Sequence, residues 1–157
     1  FNEVDCDLSI LRAPPEWELG QVRRVLVPVG GQGNHDELRA RLLASLSRQN
    51  DIHIHFLRVV PSTLEGDEIR SIERRIKRRV AVEIPAVHSV DVVASDDVQG
   101  TIMEQVEDCD LIVLGLQRSD RKTKAFGDLS VELAQRTDTA MIMLGGRNPT
   151  GLVVWSP

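Results

Sequence analysis

The residues best suited to meet a charged ligand lie between Asp110 and Gly127, in DLIVLGLQRSDRKTKAFG. An apolar run closes on Gly115, a polar loop carrying Arg118, Arg121, Lys122 and Lys124 follows, and Phe126-Gly127-Asp128 stands where a helix should start. A glycine at such a corner lets backbone amides approach an anion closely. Guanidinium groups pair with carboxylate or phosphate through two parallel hydrogen bonds. A second glycine-rich corner follows the run VLVPV: Gly30-Gly31-Gln32-Gly33, with Asn34 as the N-cap of the next helix. Such a turn brings a ligand to the free amides of a helix N-terminus. No Gly-Lys-Ser/Thr follows it, so it is not a P-loop, and its spacing does not match GxGxxG.

Other reactive side chains have simpler explanations. His53 and His55 share one face of a strand through its two-residue period. A metal ion would need a third ligand, and the neighbouring sequence supplies none, so hydrogen-bonded or surface histidines are expected. Asp96-Asp97 is the nearest approach to a carboxylate pair, and helix capping accounts for it. With no Ser-His-Asp set in a credible context and no metal cluster, an enzyme is not expected. Cys6 and Cys109 are far apart and lack metal-ligand spacing. Cys109 precedes a buried strand and reads as a reduced structural thiol, which points to a reducing compartment.

The elements that would position these groups alternate along the chain. Val22–Val29 is a strand with Pro28 at its end, since proline cannot donate to a ladder. Helix His35–Ser47 sets Leu38, Leu42, Leu43 and Leu46 on one face. Strand Ile52–Val60 ends at Pro61, and helix Leu64–Val80 repeats Ile69, Ile72 and Ile76 at helical spacing. The same helix carries Arg70, Arg74, Arg75, Lys77, Arg78 and Arg79 on its other faces, either a solvated surface or a contact for anionic lipid or an acidic partner. Strand Ser89–Ala94, helix Asp97–Glu107 with Val98, Ile102, Met103 and Val106 inward, strand Leu111–Leu114, helix Gly127–Arg136 and strand Thr139–Leu144 complete the series. This βαβαβαβαβ order over residues 22–144 predicts an α/β fold, an open doubly wound, mostly parallel five-stranded sheet. Ligands of such sheets bind beyond the carboxyl ends of the strands.

The flanks differ from this core. Asp5–Leu11 alternates like a half-exposed strand before Arg12-Ala-Pro-Pro-Glu-Trp17 breaks it, and Asp5-Cys6-Asp7-Leu8 repeats Asp108-Cys109-Asp110-Leu111 letter for letter. Residues 1–20 are thus a linker or lead-in strand, or the last strand of a preceding similar module, with Trp17 as a hydrophobic anchor. Residues 21–147 form the domain, and residues 148–157 a tail. The chain opens on Phe1 instead of Met, so a piece of a longer protein is expected.

Composition sets further limits. The 157 residues suffice for one domain with a real core. A formal charge of −5 offers nucleic acid no general attraction, and 3% aromatic residues provide few stacking platforms. No apolar run approaches the ~18 residues that a membrane span needs.

VLVPVGG at the first strand, HFLRVVP at the second, and DLIVLGLQRSDRKTKAFGDLS with TDTAMIML at the end resemble a universal stress protein domain over about residues 22–145. ATP-binding members carry Gly-x2-Gly-x9-Gly-Ser/Thr after the fourth strand, whose glycines and hydroxyls wrap the phosphates. Gly115 matches the first glycine and Arg118 takes the place of the second. Gly127 matches the third in a loop one residue shorter, and Asp128 replaces the hydroxyl. An acidic residue that commonly follows the first strand is replaced by Gly30-Gly31. A carboxylate where phosphate should sit repels it, so these departures point away from ATP bound in the usual way.

A narrower likeness joins LRAPPEW, ARLLASL and AFGDLS to the cytoplasmic C-terminal domains of amino-acid permease and cation–chloride cotransporter relatives. That resemblance implies a non-enzymatic cytoplasmic regulatory or assembly domain of a membrane transporter. It would form a homodimer or dock on the membrane domain, with Arg74, Arg78, Arg121, Lys122 and Lys124 toward the partner. The alternative, implied by the wider resemblance to universal stress proteins, is a nucleotide sensor for AMP, ATP or a cyclic nucleotide. Its site would comprise Val29, Gly30, Val59, Gly115, Arg118 and Gly127, and would hold an adenine nucleotide weakly, with arginine compensating for lost glycines.

Overall fold

A computed structural model describes residues 6–30, 36–49, 51–84, 88–116 and 128–145. In chain order these residues form β1 (Leu8–Arg12), a single 3-10 turn at Leu19–Gln21, β2 (Arg24–Pro28), α1 (Asp36–Gln49) and β3 (His53–Val60). They continue with α2 (Gly66–Glu83), β4 (His88–Ala94), α3 (Val98–Val106), β5 (Leu111–Gly115), α4 (Asp128–Arg136) and β6 (Ala140–Gly145). One sheet holds the strands in the order β1-β6-β5-β2-β3-β4. All neighbouring pairs are parallel except β1 with β6.

The unbroken apolar runs of β2, β5 and β6 follow from burial on both faces of this sheet. On one face Val25, Val27, Leu111, Val113, Ile142 and Leu144 pack with Leu43 and Leu46 of α1 and Val80 of α2. On the other, Leu26, Ile112, Leu114, Met141 and Met143 meet Ile102 and Val106 of α3 and Leu133 of α4. The two-residue period of the strands thus feeds two cores at once. Burial of large aliphatic side chains, at about 25 cal/mol per Å² of apolar surface, is the main term holding these layers together.

Two expectations change. The sheet has six strands, not five, because the lead-in segment belongs to it: β1 runs antiparallel to β6, from Leu8 opposite Gly145 to Arg12 opposite Met141. The reason is physical. β6 is buried along its whole length, and its outer backbone edge needs hydrogen-bond partners that water cannot supply there. β1 provides them, while Leu8 and Ile10 add to the second core, and Arg12 donates to the Thr139 carbonyl at 3.1 Å. The expected lead-in strand is therefore the edge strand of this sheet. The second change is Val98, which is 46% exposed. It is the first residue of α3, one turn before the helix lies down on the sheet with Ile102 and Val106.

Asp110 locks the amino-terminal end of the central strands. Its Oδ2 accepts from the backbone N–H of Arg23 at 2.9 Å and of Arg24 at 2.8 Å, and its own N–H donates to the Arg24 carbonyl at 2.9 Å. Trp17 Nε1 donates to the Asp110 carbonyl at 3.4 Å, and the ring packs against the first core. The expected anchor is therefore tied to the start of β5. Asp110→Ala should lower stability by about 1 kcal/mol, a loss tempered by hydration of amides at the surface. The check is chemical denaturation of both proteins at pH 7, with Asp110→Asn giving an intermediate loss.

Candidate functional site

Connectivity reverses at β2. The chain moves outward to β3 and β4 on one side, then crosses back to β5 and β6 on the other. In open α/β sheets the crevice at such a reversal, beyond the carboxyl ends, is where ligands bind. Here β2 and β5 pair only through Val25 with Leu111 and Leu26 with Ile112. Beyond that point β2 continues with β3 up to Pro28 opposite Leu57, and β5 continues with β6 up to Gly115 opposite Leu144.

Proline explains the parting. Residues of a strand aim their backbone groups at alternate neighbours. Arg24 accepts from the β5 side through Asp110 N–H, whereas Val29 N–H donates to the Leu57 carbonyl on the β3 side at 2.8 Å. Pro28 therefore presents toward β5 the position at which a donor is missing.

Four of the six expected nucleotide-site residues come to the carboxyl ends flanking this opening. Val29 and Gly30 follow β2, Val59 is next to last in β3, and Gly115 ends β5. Arg118 and Gly127 lie outside the described residues, as do Arg121, Lys122 and Lys124 of the expected partner surface. Arg74 and Arg78 are exposed on α2, where their Nε groups donate to the carbonyls of Arg70 and Arg74, each at 3.3 Å. They lie on a helix away from the crevice, and the structure does not join them to it.

Gly30 has φ +127°, a region that residues with a Cβ rarely enter. A Cβ there would lie 1.0 Å from Nη1 of Arg58. The Arg58 guanidinium therefore crosses directly over Gly30, with Nη1 donating to the Val29 carbonyl at 3.2 Å. Sequence reasoning did not single out Arg58. The available signal was a charged residue in the buried run HFLRVVP, one position before Val59, where the strand emerges from the sheet.

The histidines meet acceptors or donors on the neighbouring strand. His53 Nε2 is 2.9 Å from Ser89 Oγ, and His55 Nε2 is 2.8 Å from Asp91 Oδ2. Among the described residues no group of three or more His, Cys, Asp or Glu side chains could hold a metal. The acidic pair Asp96-Asp97 is divided between two structural tasks. Asp97 caps α3 by accepting from Gly100 N–H at 2.8 Å. Asp96 binds the hydroxyl and the backbone N–H of Ser62, which hold its carboxyl below the usual range.

Cys109 lies at the opposite end of the sheet from the crevice, half-buried, with its thiol donating to the Gln105 carbonyl at 3.2 Å. Burial pushes its pKa up to about 11; Arg24 opposes that rise, while Asp110 and Asp108 add to it.

No family model matches the chain, and no curated protein matches it. Solved structures do. A universal stress protein from Archaeoglobus fulgidus superposes with a TM-score of 0.61 at 16% identity, over 78% of this chain and 93% of its own. The fold is that of the universal stress proteins. A universal stress protein of the same organism in complex with dAMP gives a TM-score of 0.60 at 14% identity, over 78% of this chain and 97% of that one. A universal stress protein in complex with cAMP gives 0.53 at 16% identity, over 79% and 97%. The expected attachment to a transporter draws no support from these universal stress protein structures. Among the described residues no helix is long and apolar enough to cross a membrane.

Two outcomes follow from this geometry. Gly30→Ala should destabilise the protein by more than about 1 kcal/mol, from backbone strain plus collision with Arg58. In thermal melts the Gly30→Ala/Arg58→Ala double variant should recover the collision part and keep the strain. A raised thiol pKa means less thiolate at any given pH, about one Cys109 in a thousand at pH 8. Iodoacetamide at pH 8 should therefore alkylate exposed Cys6 well before Cys109, as followed by peptide mass spectrometry. Equal rates would contradict this assignment.

Proposed function

We propose that this domain binds an adenine nucleotide, as a sensor and not as an enzyme, at the carboxyl ends of β2, β3 and β5. The observation that carries the reading is the parting of β2 from β5 after Leu26 and Ile112, with Val29, Gly30, Val59 and Gly115 on its borders. This crevice lies at the switch point of a fold whose solved examples include complexes with dAMP and cAMP. The sequence likeness adds the character of the ligand. Asp128 in place of a hydroxyl, and Arg118 in place of a glycine, suit a nucleotide with one phosphate better than a triphosphate.

Regulation of a transporter rests on the sequence likenesses around LRAPPEW, ARLLASL and AFGDLS, and the fold does not favour it over a free-standing sensor. If the domain forms a homodimer, the backbone edge of β6 is not its seam, because β1 and β5 occupy both sides of that strand.

Isothermal calorimetry of the whole chain with AMP, cAMP and ATP tests the proposal. AMP or cAMP should bind in the micromolar to millimolar range, and ATP at least several-fold more weakly. The absence of heat and of any thermal shift with all three would sink the reading.

A further inference from the structure

Arg58 is placed as no structural requirement of the strand demands. A guanidinium has five N–H donors in a planar fork, and among the described residues Arg58 uses one hydrogen bond, to the Val29 carbonyl. No carboxylate among those residues lies within ion-pair distance of it. The side chain is half-buried, so it is partly withdrawn from water and partly open. It rests on Gly30, and the left-handed backbone of Gly30 leaves the space that the guanidinium fills, with Nη1 and Cζ only 1.0 and 2.2 Å from where a Cβ would sit.

A guanidinium held against backbone by one hydrogen bond, with the rest of its fork unspent among the described residues, is a preorganised anion receptor. It stands on the β2–β3 side of the opening between β2 and β5. We infer that Arg58 is a specificity-determining residue of this site, pairing with the phosphate of a nucleoside monophosphate from the β2–β3 wall. The inference rests on the proposed nucleotide reading and adds what selects the ligand: the anionic group is recognised by Arg58 beside Gly30, and the nucleoside is recognised separately.

The test compares AMP, adenosine and inorganic phosphate against wild type, Arg58→Gln and Arg58→Lys by calorimetry, with melting curves as the folding control. Wild type should bind AMP at least tenfold more tightly than adenosine. Arg58→Gln keeps the length and some donors but loses the charge. It should lose about tenfold for AMP, while its affinity for adenosine stays within twofold. Arg58→Lys should recover part of the AMP affinity, because the charge returns without the fork. Phosphate should compete with AMP in wild type and much less in Arg58→Gln, which separates recognition of the anion from recognition of the nucleoside.

Equal weakening of AMP and adenosine in Arg58→Gln, or no change in either, would overturn the role of Arg58 and leave the nucleotide reading standing. The same holds if wild type binds AMP and adenosine equally well. If wild type binds neither AMP nor adenosine, the nucleotide reading itself fails, and this inference with it. Should Arg58→Gln melt early, the decision passes to folded Arg58→Lys: weaker AMP binding with unchanged adenosine binding supports the role, and unchanged AMP binding overturns it.

Discussion

Near one end of the β2–β5 pair the Asp110 carboxylate ties the Arg23 and Arg24 amides, and near the other Pro28 has no amide to tie. Two central strands fastened at the bottom and left unpaired at the top make a wedge. The wedge coincides with the point at which the chain reverses its direction across the sheet. The described residues of the expected nucleotide site, Val29, Gly30, Val59 and Gly115, lie at the carboxyl ends that border it. Without the Asp110 carboxylate the Arg23 and Arg24 amides would lose their partner. A residue with an N–H at position 28 could extend the ladder into the space a ligand needs.

The same economy appears at the rim. Gly30 adopts a backbone conformation that ordinary residues avoid, and the space it leaves is filled by the side chain of Arg58, which reaches it from the neighbouring strand. Glycine here serves a close side-chain approach as well as a turn. Asp96 and Asp97, adjacent in sequence, divide their work: one holds the loop after β3 and the other starts α3. Both carboxylates are thus spent on structural bonds.

The lead-in strand shows how an edge is managed. β6 is apolar and buried from end to end, and an open edge on such a strand would invite pairing with other chains. β1 covers it with only five residues, sheds its pairing at Ala13-Pro14-Pro15, and leaves the outer position to a strand whose residues alternate between half-buried and exposed. The interior strand becomes fully bonded, and the new edge is shorter and more polar.

Much of this was legible in the residues themselves. Strands buried on both faces must read as continuous apolar runs, helices on a sheet must repeat aliphatic residues at three and four, and both signals are local. That is why VLVPV, LIVLG and AMIML, and the leucines of α1, predicted the alternating elements and hence the parallel sheet. Gly30 and Gly115 were recognisable because a corner after such a run requires special backbone freedom. What tertiary structure decided was non-local. Pairing of β1 with β6 joins residues more than 120 positions apart, and alternation in Asp5–Leu11 could not say which strand it would meet. The wedge depends on which neighbour Pro28 faces, and the role of Arg58 depends on Gly30 lying beneath it across the sheet. A charged letter in HFLRVVP has no partner until strands align, because hydrogen-bond direction and side-chain reach exist only between elements already brought together.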